Sequence, residues 1–147
     1  MLCHLRNQSI FQDHIMHAKL TDGLLPLSFS FRVKQSKNNE INFIVHSVIE
    51  PENLSRIKSI MKAWDEFVQK GKNLVVLDYP VNPAALVIYV PTIKKAKYLN
   101  RELMLSLKTV NIRLCIGEVL HEQGLSNAFF DPLAEGELKQ IHIPLFN

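Results

Sequence analysis

Lys94, Lys97, Arg101 and Lys108 are the residues whose spacing comes nearest to a chemical device. On a helix starting at Ile93 all four project within an arc of about 60°. No carboxylate is interleaved among them. Lys95 joins Lys94 in the first turn, where the helix dipole is already positive and cations are unfavourable. Thr92 stands where an N-cap belongs. A bound anion at Thr92, Lys94, Lys95, Lys97, Arg101 and Lys108 would relieve that concentration of charge. It would be a phosphate, a nucleic-acid backbone or a carboxylate from residues 118–137. The plainer reading is a solvated basic face that keeps the protein soluble. Tyr98 falls on a different side of the helix, so the interleaved stacking of a single-strand binder is missing.

Two other groupings have suitable residue types. Cys3, His4, His14 and His17 could approach tetrahedral metal coordination, with Asp13 orienting an imidazole. Their spacing matches no zinc module, and the expectation is no metal and no cofactor. Asp78, Cys115 and His121 contain the parts of a thiol nucleophile with its base and orienter. Nothing local positions them, and Cys115 reads as a structural thiol in a strand. His46 and His142 read as sheet-face histidines. There is no Gly-rich phosphate loop, no Gly-x-Ser-x-Gly, no His-Glu-x-x-His and no Cys-x-x-Cys.

Composition bounds what can carry these residues. The 147 residues are 47% apolar and 21% charged, which excludes intrinsic disorder and fits one domain over 1–147. The net charge of +3 demands no anionic partner. Its distribution is uneven: Lys94 to Arg101 is purely basic, whereas 118–137 carries five carboxylates and no Lys or Arg. The two blocks could neutralise each other within the fold or across a subunit contact. Without an export-type N-terminus the two cysteines are expected to be reduced thiols, and the protein cytoplasmic and not membrane-bound.

The positioning elements follow from periodicity. Ser9 to Leu20 reads as a short helix within an N-terminal helical extension, 1–23, because Ile10, Phe11, Ile15 and Ala18 fall at helical spacing. Leu25 to Gln35 alternates strictly, and with Glu40 to Ile49 predicts an antiparallel hairpin. A helix over 52–70 has Leu54, Ile57, Ile60, Met61, Trp64, Phe67 and Val68 on one side. Residues 73–79 and 84–90 read as a second hairpin, and 84–90 is apolar on both faces. A helix over 93–108 follows, with Ile93, Ala96, Leu99, Leu103, Met104 and Leu107 as its buried stripe. Residues 110–116 make another strand, 118–137 is acidic and irregular, and Ile141, Ile143 and Leu145 suit a terminal strand. Phe129-Phe130 reads as a plug over the core.

The expected fold is α+β. A mainly antiparallel sheet of five or six strands, in hairpin-helix-hairpin-helix-strand order, carries two amphipathic helices on one face. The functional expectation is a non-enzymatic binding or assembly domain acting through a protein partner or as a homodimer. It rests on a second sheet face that the short N-terminal helix alone would cover. Anion or nucleic-acid-backbone binding through the basic strip comes second, and a small cysteine- or metal-dependent enzyme third.

Overall fold

The computed structural model describes residues 11–16, 29–36, 39–47, 54–69, 74–76, 79–81, 83–108 and 111–143. The protein is α+β, built on a mixed sheet. In chain order the strands are β1 (Phe11–Met16), β2 (Phe29–Ser36), β3 (Asn39–Ser47), β4 (Leu74–Val76), β5 (Tyr79–Val81), β6 (Pro83–Val90), β7 (Ile112–Ile116), β8 (Phe129–Pro132) and β9 (Leu138–Ile141). The helices are α1 (Leu54–Gln69), α2 (Ile93–Leu103) and α3 (Gly117–Gln123). Across the main sheet the order is β1-β2-β3-β6-β7-β8-β9, while β4 and β5 pair separately.

The hairpin of β2 and β3 forms as the alternation requires, with Phe31 opposite Phe43 and Val33 opposite Ile41. The second expected hairpin does not. β6 runs parallel to β3 on one side and to β7 on the other. The mainly antiparallel sheet is therefore corrected to a mixed one. The physical reason lies in the composition of 84–90: a strand apolar on both faces suits the parallel interior of a sheet. Leu74–Val76 instead folds back on Tyr79–Val81, its immediate neighbour. The expected N-terminal helix is also corrected, since Phe11–Met16 is a strand antiparallel to β2. Six residues of Phe-Gln-Asp-His-Ile-Met satisfy either period, and pairing with β2 supplies the backbone hydrogen bonds.

The connections β3-α1-β6 and β6-α2-β7 advance in the same direction across the sheet. Crossovers of one hand then lay both helices on the same face. Ile57 and Met61 of α1 and Ala96, Leu99 and Leu103 of α2 accordingly share a core with Leu86, Ile88 and Val90 of β6. Ile112, Leu114 and Ile116 of β7 and Phe130 of β8 complete it. The expectation of two amphipathic helices on one face holds for these residues.

On the opposite face, described residues of β6, β7 and β8 are buried as well. Val87, Cys115 and Phe129 are each 0% exposed within the single chain. Phe129 and Phe130, adjacent on an extended strand, thus enter opposite sides of the sheet. Segment 118–137, expected to be irregular, contains α3, β8 and tight turns at Leu125–Asn127 and Ala134–Gly136. Among the described residues no helix is long and apolar enough to cross a membrane.

Candidate functional site: the C-terminal end of helix α2

Helix α2 begins as the sequence predicts. Thr92 is extended (φ −133°, ψ 156°) and its hydroxyl oxygen accepts the N–H of Lys95. The anion that this end calls for comes from the chain itself. The carboxylate of Glu118, at the start of α3, accepts the N–H of Ile93 at 2.6 Å. The Glu118 N–H in turn donates to the Pro91 carbonyl at 2.9 Å. These two bonds tie the loops that follow β6 and β7 to one another. Gly117 leaves room at this junction for the Tyr89 hydroxyl, which would lie 2.5 Å from a Cβ there and would have to shift.

The helix stops at Leu103 rather than Lys108. Met104 takes a left-handed conformation (φ 48°, ψ 53°), and its N–H bonds the Asn100 carbonyl. A tight turn, Leu105–Leu107, follows. Left-handed backbone costs a non-glycine residue about 1 kcal/mol or more. Nothing in the sequence advertises a methionine in a role usually given to glycine or asparagine.

The basic strip is consequently broken up. Lys108 lies beyond the helix, with its ammonium 3.8 Å from Asp65 of α1. Lys97 pairs with Glu137 at 3.3 Å. That contact is largely exposed and stabilises by less than about 1 kcal/mol. Arg101 is exposed, with its stem against the turn 134–136, where a Cβ on Gly136 (φ 81°) would come within 2.9 Å of the Arg101 Cβ. Lys94 is exposed and Lys95 half-buried. Of the possibilities for the basic and acidic blocks, pairing within the fold occurs at Lys97–Glu137.

Asn100 fastens that turn. It is 1% exposed, and its amide donates to the carbonyls of Leu133 at 2.9 Å and Glu137 at 2.7 Å. Its Oδ1 is buried without a partner. A polar residue inside an apolar stripe gave no sign of this role, because both acceptors lie more than thirty residues away.

Backbone and amide bonds therefore link Leu133 to Asn100, Asn100 to Met104, and Met104 to Leu107. At the surface of this linked region Leu107 is 77% exposed, Met104 59% and Leu133 43%. Met104 and Leu107, expected in the buried stripe, both face water. Beside them a cleft of about 280 Å³ opens where β7 begins and β8 ends. Its walls include Leu105, Lys108, Ile112, Arg113, Asp131 and Pro132. The Arg113 Nε lies 3.6 Å from Asp131 Oδ1 and makes no hydrogen bond.

Of the thiol grouping, Cys115 and His121 lie among the described residues. Cys115 is free and fully buried, and burial pushes its thiol up to about 12. His121 is solvent-exposed on α3, whereas Asp78 lies outside the described residues. Of the metal grouping, Asp13 and His14 lie in β1, and Cys3, His4 and His17 are outside the described residues. Among the described residues no three His, Cys, Asp or Glu side chains come together to hold a metal ion. His46 is in β3. His142 lies just past β9, exposed, with Nδ1 3.0 Å from the Asn127 side-chain oxygen.

No known protein family, curated protein or solved structure matches the chain.

Proposed function

We propose that the protein is a non-enzymatic binding domain that holds a protein partner at the C-terminal end of α2. The observation carrying this reading is the exposure of Leu107, Met104 and Leu133 at a locally braced end of the helix. Large apolar side chains grouped beside a cleft, rather than scattered singly, are the usual mark of a protein contact. Met104 adds a second consideration. It keeps a strained backbone conformation while presenting a flexible thioether to solvent, and strain of this kind clusters at functional positions. On the sheet's second face Val87, Cys115 and Phe129 are covered within the chain, which favours the helix end as the place of the partner contact.

The test is a selection of displayed random peptides against the protein, followed by binding to Leu107→Glu and Met104→Gly variants. Selected peptides should bind the parent at least about tenfold more tightly than Leu107→Glu, the scale of losing one central apolar anchor. Met104→Gly should weaken binding while leaving the fold intact, since glycine relieves the left-handed strain. Peptides that bind parent and both variants equally would sink the reading.

A further inference from the structure

We infer that the cleft beside Leu105–Leu107 receives a carboxylate from an acidic residue of the bound peptide. This inference rests on the docking reading above and adds the chemistry of the partner. Two cations line the cleft, Lys108 and Arg113. Each has a carboxylate partner farther away than a charge-assisted hydrogen bond of about 2.7–2.9 Å: Asp65 at 3.8 Å and Asp131 at 3.6 Å. The Arg113 Nε is shielded from water and has no acceptor, while the side chain as a whole is 31% exposed, so the donors open to a ligand lie at the outer end of the guanidinium. A guanidinium offers five N–H donors in a planar fork, so Asp131 at that distance leaves donors for a second carboxylate.

The other walls narrow the class of ligand. At about 280 Å³ the cleft is below the usual range for small-molecule and cofactor sites and suits a single side chain. Asp131 stands within it, and so repels a doubly charged phosphate more strongly than a carboxylate of one charge. Leu105, Ile112 and Pro132 supply apolar walls, with Leu107 and Met104 close by along the chain. A short segment with apolar residues on either side of Glu or Asp matches that sequence of surfaces. Its charge is opposite to that of Lys108 and Arg113, which supports this partner over a basic or neutral one.

The probe is N-acetyl-Leu-Glu-Leu-amide, with the corresponding Leu-Gln-Leu peptide and inorganic phosphate as comparison arms. Each is titrated into the isotope-labelled full chain while the Arg113 Nε–H signal and the Leu107 methyl signals are followed. The Glu peptide should move both sets of signals and bind about tenfold more tightly than the Gln peptide, as expected for a hydrogen bond to a charged group. That preference should vanish in Lys108→Gln and shrink in Arg113→Lys, both substitutions at partly exposed positions that leave the core untouched. Equal binding of the Glu and Gln peptides, seen at Leu107 and not at Arg113, overturns the carboxylate site and leaves the docking surface standing. Phosphate moving the Arg113 signal while the Glu peptide does not also overturns it. A Glu peptide that shifts neither residue overturns it as well, and the selection experiment then judges the docking surface separately.

Discussion

Glu118 and Ile93, twenty-five positions apart, meet as carboxylate and helix N-terminus at 2.6 Å. The contact is a second helix cap, delivered from the start of the following helix and added to the one that Thr92 supplies before α2. It joins the two loops at the C-terminal ends of the parallel strands β6 and β7, and Glu118 N–H to Pro91 O closes the return bond.

Replacing Glu118 by Ala should therefore destabilise the protein by about 1 kcal/mol, the scale of losing a capping acceptor. Glu118→Gln should recover about half of that, because an amide oxygen can still accept the Ile93 N–H but carries no charge for the dipole. Urea denaturation of the three proteins measures both. A Glu118→Ala protein with an unchanged midpoint would remove the cap from the list of stabilising contacts.

Asn100→Ala should cost more, about 2 kcal/mol, because it removes two part-buried hydrogen bonds at once, leaving the Glu137 carbonyl only the Leu133 N–H. Gly136→Ala attacks the same turn from the other side, through its positive φ and the close approach to Arg101. The two substitutions should be markedly non-additive, since either one releases the turn from α2. Denaturation midpoints of the double-mutant cycle check this. Strict additivity would mean that Asn100 and Gly136 act on separate structures.

Cys115 makes stability depend on alkaline pH. Its folded-state value, pushed by burial to about 12, lies above the ordinary value of 9.0, so the unfolded chain releases this proton first. The neutral thiol's contribution is thus complete below about pH 9 and declines between 9 and 12, by about 1.4 kcal/mol per pH unit. The Tyr89 phenol is raised in the same direction, chiefly by burial and secondarily by Cys115. In a Cys3→Ser background, Cys115→Ala should flatten the alkaline limb of the stability profile, and in the Cys3→Ser protein itself the Cys115 thiol should react with disulfide reagents only as fast as the protein opens. Prompt labelling of Cys115 in the folded protein would contradict its burial.

The sequence disclosed the core of α2 and concealed its end. Ala96, Leu99 and Leu103 are buried at the spacing that predicts them, and Thr92 caps as its position implies. Of the remaining three members of the expected stripe, Met104 and Leu107 fail because helical angles lose meaning once Met104 turns left-handed, and Ile93, at the first helical position, is 36% exposed. In β6 the apolar residues were readable but their orientation was not. Alternation records which faces are covered and is indifferent to whether a neighbour runs parallel or antiparallel. β1 shows the limit of short windows, since Phe11 and Ile15 serve a helix face or a strand face equally well. Of the candidate site, Lys108 alone had been singled out for binding. Arg113 passed as the polar alternate of a strand, and Leu107 and Leu133 as ordinary core and loop. What distinguishes them is exposure, and exposure is decided by contacts distant in the chain.

Phe129 and Phe130 also set a rule for how this chain can change. One ring serves the layer beneath the helices and its neighbour the layer on the far side, with Ala128 and Phe129 both wholly enclosed. A one-residue insertion or deletion in β8 would swap the rings between layers and send Asp131 toward the helices. The register of this strand is locked by its two aromatic neighbours.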